Sequence, residues 1–127
     1  MNTSFKRDKI KYIRDKAKGR YNKGPNCEIC NTTEELEFHH YYSLTPLFNK
    51  WVKDNKLNLD SEEALLAVRD QFIAEHMNEL YDEAATLCKT HHAKLHSVYG
   101  KDPALATALK QKRWVGIQQE KYASKGD

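Results

Sequence analysis

The 127-residue sequence contains little cysteine, proline and glycine, with three, three and five residues respectively. It has no run of 18 or more apolar residues, the length that a membrane-spanning helix needs. Its first twenty residues are polar and basic, so they lack the apolar centre of a secretory signal. An odd number of cysteines argues against a closed disulfide framework. These absences favour a cytoplasmic protein that has no membrane partner.

Apolar residues are also scarce, since 39% of the chain is hydrophobic and 31% is charged. A chain of this length fits one domain, residues 1–127, with a modest core that a structural metal ion would usefully supplement. The sequence shows no internal repeat and no low-complexity tract.

Charge is segregated along the chain. Residues 1–24 hold nine Lys or Arg against two acids, residues 28–83 hold four against thirteen, and residues 101–127 hold six against three. Basic ends favour a polyanionic partner, for which we expect DNA, although a solvated helix face would show the same residues. The candidate nucleic-acid contacts are Arg14, Lys18, Arg20, Lys89, Lys94, Lys110, Lys112 and Arg113.

The pattern of apolar residues predicts an α+β fold that is mostly helical. We expect a basic helix within 1–24, a strand at "LEFHHYY", helices over about 45–81, and a strand followed by a helix that stops at Gly100. A basic helix within 101–127 should begin near Pro103. In the long acidic helix, Asp60 or Ser61 should be the N-cap. Its predicted buried stripe is Leu65, Leu66, Ile73, Met77 and Leu80.

Two short motifs have the spacing of zinc half-sites. Cys27 and Cys30 are separated by two residues, and so are Cys88 and His91. Three thiolates and one imidazole complete a tetrahedral structural zinc site. Cys-x-x-Cys also serves redox chemistry, but the βαβ pattern that accompanies this use is missing here.

The other histidines suggest a second site. His92 and His96 are four residues apart, so they share one face of a helix. His39 and His40 are neighbours on the predicted strand, so their side chains point to opposite faces and can serve two purposes. His76 is isolated on the acidic helix, and we expect a purely structural role for it.

The motifs "CEIC", "LEFHHYY" and "LCKTHHAKLH" together resemble the zinc-stapled HNH (His-Me finger, ββα-metal) nuclease family, which includes phage homing endonucleases. The resemblance covers roughly residues 10–100. It implies a ββα-metal core over 27–100 with a helical insertion at about 45–81, and a place in the bacterial host cell if the chain is a phage protein.

The resemblance also implies roles for the histidines. It implies His40 as the general base, and His39, His92 and His96 as ligands of a catalytic Mg²⁺ or another divalent ion. Cys27, Cys30 and Cys88 match the cysteines of the structural Zn²⁺ site, and His91 would stand where the family usually has a fourth cysteine, with His92 as the alternative. Lys89 and Lys94 lie near the catalytic histidines in sequence and would hold phosphates there.

Two features depart from the family pattern. Glu83 occupies a position where the family has an asparagine that braces the loop between the strands, and the interval from His40 to Cys88 is long. We expect a metal-dependent DNA endonuclease, with a catalytically degenerate zinc module that docks DNA or a protein as the alternative. The absence of an obvious second DNA-reading domain favours nicking, low specificity, or delivery by a phage partner protein.

Overall fold

A computed structural model describes residues 9–125. The described elements are helix α1 (Lys9–Lys18), strand β1 (Leu36–His40), helices α2 (Leu44–Asp54) and α3 (Glu62–Glu75), a π-helical turn (Asn78–Asp82), strand β2 (Ala84–Cys88), helix α4 (Lys89–Tyr99), a 3₁₀ turn (Leu105–Thr107) and helix α5 (Ala108–Lys125). The fold is therefore α+β and mostly helical, as the sequence predicts. No helix among these residues is long and apolar enough to cross a membrane.

The two strands form an antiparallel pair although α2, α3 and the π turn lie between them in sequence. Leu36 pairs with Cys88, and His40 pairs with Ala84. Helix α4 follows β2 directly and packs against both strands. This register places the end of β1 beside the start of β2, and it brings the histidine pair of β1 near the histidines of α4.

Apolar side chains form two separate clusters. One cluster joins α1 to the helices between the strands, and Phe72, Ile13, Leu65 and Leu80 are fully buried in it. The other cluster joins the strands, α4 and α5. Helix α1 therefore packs with α2 and α3, while the three cysteines belong to the second cluster.

Helix α3 begins as expected but buries a different stripe. The Ser61 hydroxyl accepts a hydrogen bond from the Ala64 amide, which is N-cap geometry. Leu65, Ile73 and Leu80 are buried, but Leu66 and Met77 are 38% and 39% exposed, so the prediction for these two is wrong. Leu66 lies one position off the buried face, and Met77 follows the end of the helix at Glu75.

The N-terminal basic helix agrees with the prediction, whereas the C-terminal basic helix begins later than predicted. Helix α1 lies within residues 1–24 and ends at Lys18, before Gly19; residues 1–8 lie outside the described part of the chain. Helix α5 begins at Ala108 and not at Pro103, because Pro103 is buried and a 3₁₀ turn follows it. Gly100 ends α4 as predicted, with a φ of 92° that favours glycine.

Candidate metal centres and basic cleft

The cysteine motif folds as a tight turn that is tied to β2. The Asn31 amide donates to the Cys27 carbonyl at 2.9 Å, and Asn31 has a φ of 63°, which asparagine tolerates better than most residues. The Glu28 amide donates to the Thr86 carbonyl at 2.9 Å. These bonds place the turn beside the end of β2, where Cys88 lies.

Cys27, Cys30, Cys88 and His91 come together in one cluster. The Sγ atoms of Cys30 and Cys88 are 3.9 Å apart, and the Nδ1 atom of His91 lies 3.3 Å from Cys88 Sγ and 3.9 Å from Cys27 Sγ. A tetrahedral zinc with bonds near 2.3 Å to sulfur separates its ligand atoms by roughly 3.8 Å. The spacing of the four ligand atoms therefore suits a zinc ion.

The environment of Cys27 favours its thiolate. Burial raises the pKa of this thiol, but hydrogen bonds from the backbone of Cys30, Cys88 and Ile29 lower it below its usual value. The Ile29 amide lies 3.4 Å from Cys27 Sγ. For Cys30 burial dominates and raises the pKa, as expected for a thiol with fewer compensating donors.

His39, His92 and His96 form a second cluster. The Nε2 atom of His92 is 3.1 Å from His39 Nδ1 and 3.0 Å from His96 Nε2. His39, the fourth of the five residues of β1, is 2% exposed. Burial lowers its pKa to about 3; the hydrogen bond with Gln111 opposes this shift, and the nearby His92 and His96 add to it. His39 is therefore a neutral imidazole near pH 7.

The outward nitrogen of each ring in this cluster meets an oxygen. His92 Nδ1 donates to the Glu37 carboxylate at 2.7 Å, and His96 Nδ1 donates to the Gly100 carbonyl at 2.7 Å. His39 Nε2 lies 2.8 Å from Gln111 Oε1. When the three rings are neutral, these bonds leave the inward nitrogens as acceptors with free lone pairs.

His40 points to the opposite face of β1, as the sequence predicts. Its ring lies edge-on to Tyr21 and Phe38, with centroids 4.8 and 5.1 Å away. Burial lowers the pKa of His40 to about 4, while a hydrogen bond with the Leu80 backbone opposes the shift. The Nε2 atom of His40 is buried and has no hydrogen-bond partner among residues 9–125.

A cleft of about 220 Å³ connects His40 with the three-histidine cluster. Arg14 and Lys18 of α1 line one part of it, and Lys101, which follows α4, lines another. Arg14 is also close enough to His40 to lower its pKa electrostatically. The cleft thus combines imidazoles with three cations and one carboxylate, that of Asp102, and this excess of positive charge suits an anionic substrate.

The other six predicted basic contacts lie outside this cleft. Lys94 lies with His91 in a separate cleft, while Lys89 is exposed at the start of α4. Arg20 donates to the Met77 sulfur at 3.6 Å, and Lys112 forms an ion pair with Glu83. Lys110 and Arg113 are exposed on α5. Of the eight predicted contacts, only Arg14 and Lys18 line the cleft that contains the histidines.

His76 lies apart from both clusters. Its Nδ1 atom donates to the Phe72 carbonyl at 2.7 Å, and its ring packs on Phe72 with centroids 4.5 Å apart. Its backbone caps α3. These contacts agree with the structural role that the sequence suggests for it.

Sequence reasoning missed two partners of the histidine cluster. Glu37 precedes His39 by two residues on β1, so alternation along the strand places both side chains on one face and could have identified it. Gln111 comes from α5, 72 residues further along the chain. Neither spacing nor periodicity signals that contact.

The fold and these clusters define a small α+β protein with two groups of metal-competent side chains, one of which lies beside a basic cleft. The family model for phage T5 nicking endonucleases, described as the nicking endonuclease family, matches residues 1–127 of the chain. The chain belongs to this nicking endonuclease family and is an endonuclease that cuts DNA. No solved structure matches it.

Proposed function

We propose that the chain is an HNH-type endonuclease that nicks DNA by divalent-metal-dependent hydrolysis of a phosphodiester bond. The observation that carries the proposal is the convergence of three imidazole nitrogens, since His39 Nδ1 and His96 Nε2 lie 3.1 and 3.0 Å from His92 Nε2. Ligand nitrogens around one ion with bonds near 2.1 Å are separated by about 3.0–3.4 Å.

The tautomers of the three rings support a metal site and not an ordinary hydrogen-bond network. Each outward nitrogen is used as a donor to Glu37, Gly100 or Gln111, so no inward nitrogen has a proton to share. Facing lone pairs repel, and a bound cation removes the repulsion. An outer oxygen that fixes the ring of a ligating histidine is the usual arrangement at protein metal sites.

The ββα-metal description rests on the same elements. Strand β1, which is antiparallel to β2, carries His39 and His40, and α4, which packs on both strands, carries His92 and His96. In this proposal α2, α3 and the π turn are an insertion between the two strands of the unit. The unit and its helical extensions act as one domain.

His40 is the proposed general base. The Leu80 backbone raises the pKa of His40, which fits a ring N–H directed at it, and Nε2 has no hydrogen-bond partner among residues 9–125, so we assign the proton to Nδ1. Nε2 would then carry the lone pair that takes the proton of a water entering from the cleft that His40 lines. A lowered pKa keeps this nitrogen unprotonated near pH 7.

Arg14 and Lys18 are the proposed phosphate contacts nearest to the reacting group, since both line the cleft with His40. Their charges hold the backbone without reading base sequence. A divalent ion on the three histidines would supply polarisation of the phosphate and stabilisation of the departing 3′ oxygen. Imidazole donors suit first-row transition ions better than Mg²⁺, so we expect higher affinity for Mn²⁺, Ni²⁺ or Zn²⁺.

Cys27, Cys30, Cys88 and His91 are the proposed ligands of a structural Zn²⁺. His91 Nδ1 lies beside two of the sulfurs, whereas His92 points to the other cluster, and this arrangement favours His91 as the fourth ligand. A zinc ion there would fasten the turn at Cys27 to the start of α4. Helix α4 would then present His92 and His96 in a fixed orientation.

The test is nicking of supercoiled plasmid by wild type and His40→Ala in Mg²⁺, Mn²⁺, Ni²⁺ and Zn²⁺. We expect nicking only with a divalent ion and a large loss in His40→Ala, because the water then lacks its base. His76→Ala is the matched control, since His76 lies outside both clusters. Equal nicking by clean His40→Ala would remove His40 as the base.

Ion counting separates this proposal from a degenerate docking module. We expect two ions per chain, one resistant to mild chelation and one exchangeable. One tightly held zinc and no divalent-dependent nicking would favour a module that only docks DNA or a protein.

A further inference from the structure

Gln111 is a fully buried polar side chain whose contacts reach the histidine cluster. It lies in the first turn of α5 and is 0% exposed. Its Oε1 atom is 2.8 Å from His39 Nε2. Its Nε2 atom donates to the Tyr41 carbonyl at 3.1 Å and to the Thr107 hydroxyl oxygen at 2.9 Å. Every hydrogen-bonding group of the amide except the second lone pair of Oε1 is used.

The orientation of this amide is determined by its neighbours. The Tyr41 carbonyl can only accept a hydrogen bond, so the amide nitrogen of Gln111 must face it. Reversing the amide would place two oxygens against each other in a buried site, which costs about 1–3 kcal/mol or more for each unsatisfied group. The oxygen of Gln111 must therefore face His39.

The oxygen of Gln111 in turn selects the tautomer of His39. Because Oε1 accepts only, His39 carries its proton on Nε2, and the lone pair is left on Nδ1. Nδ1 is the atom that faces His92 at 3.1 Å. The opposite tautomer would place a proton between the two rings and a lone pair against the Gln111 oxygen.

We propose that Gln111 is a positioning residue that holds His39 in the tautomer and orientation needed to bind the divalent ion. This inference rests on the proposed function, because it assigns Gln111 a role toward the ion at His39, His92 and His96. The Tyr41 carbonyl directly follows β1, so the same side chain also fixes the end of that strand relative to α5. Gln111 is not among the residues that line the cleft with His40.

The test compares Gln111→Leu with Gln111→Glu in zinc-loaded protein. Leucine removes both the acceptor and the donor, whereas glutamate keeps an oxygen against His39 and loses only the donor to the Tyr41 carbonyl. Co²⁺ titration followed by absorbance should show binding at the histidine site weakened about 10- to 100-fold in Gln111→Leu and partly restored in Gln111→Glu. Zinc content should stay at the wild-type level. Gln118→Leu, on the same helix with a half-buried side chain outside the cluster, is the control and should bind Co²⁺ as wild type does.

The tautomer of His39 gives a readout that does not depend on activity. Nitrogen-15 NMR of metal-free wild type should show His39 protonated on Nε2, and Gln111→Leu should lose this preference. Protonation on Nδ1 in wild type, or unchanged Co²⁺ affinity in folded Gln111→Leu, would overturn the proposal. If wild type bound no ion at the histidines, the proposed function would fail, and the NMR result would still decide whether Gln111 sets the tautomer.

Discussion

His39 Nδ1 lies 3.1 Å from His92 Nε2, and in the neutral form of both rings each of these atoms carries a lone pair, because the other nitrogen donates to an oxygen. Such a contact is unfavourable in the protein alone and becomes favourable when both atoms coordinate one cation. The cluster should therefore respond to divalent ions through stability as well as through activity. This property makes it testable without DNA.

Replacement of His92 by alanine should abolish stabilisation by divalent ions without destabilising the metal-free chain. Excess ligand at 100 times Kd stabilises a folded protein by about 2.7 kcal/mol. We expect Mn²⁺ to raise the melting temperature of wild type and to leave that of His92→Ala unchanged. Thermal unfolding with and without Mn²⁺ measures the difference, and His76→Ala should keep the wild-type response. An equal shift in His92→Ala would place the ion elsewhere.

Arg14→Ala should impair nicking through loss of a phosphate contact next to His40. A hydrogen bond to a charged group contributes about 1.5–3 kcal/mol, which corresponds to about 10- to 100-fold in kcat/KM. The slope of log DNA affinity against log salt concentration should also become shallower by about one. The measurement is nicking and DNA binding at several salt concentrations. Lys53→Ala is the control, because Lys53 is exposed on α2 and does not line the cleft. A normal salt dependence in Arg14→Ala would contradict the contact.

Much of the candidate site is readable from the sequence because its donors lie in short local motifs. Two residues between Cys27 and Cys30 allow one ion to be reached from a tight turn, and four residues from His92 to His96 place both on one helix face. Strand alternation separates His39 from His40 in the same way. These are local geometric rules, so they hold before the tertiary structure is known.

The parts that the sequence could not supply depend on contacts between distant segments. Gln111 contacts His39, which lies 72 residues earlier in the chain. Arg14 lines the cleft because α1 packs with α2 and α3. Phe72 is buried and Leu66 is exposed because of how α3 is rotated about its own axis as it packs on α1 and α2. Periodicity alone does not determine this rotation. The late start of α5 likewise depends on burial of Pro103.

Cys30→Ser should lose the structural zinc and with it the cooperative fold of the second apolar cluster. Binding of structural zinc contributes directly to folding in small metal domains, by about 10–16 kcal/mol in zinc-finger peptides. We expect lower zinc content by elemental analysis and a lower, broader thermal transition by circular dichroism. Mild chelation of wild type should remove the exchangeable ion first and leave this transition in place. A Cys30→Ser protein with a full zinc complement would exclude Cys30 as a ligand.

Glu83→Gln should leave nicking almost intact. Glu83 occupies the position where the HNH family, which the sequence resembles, has an asparagine that braces the loop between the strands. The Tyr41 amide donates to the Glu83 carbonyl at 3.1 Å, and this backbone bond does not depend on the side chain. The carboxylate pairs with Lys112, which also lies 5.6 Å from the centroid of the Tyr41 ring. Because both side chains are partly exposed, the pair should contribute less than about 1 kcal/mol to stability. Urea unfolding and plasmid nicking measure the two effects. A severe loss of nicking with normal stability would instead give the carboxylate a direct part in the reaction.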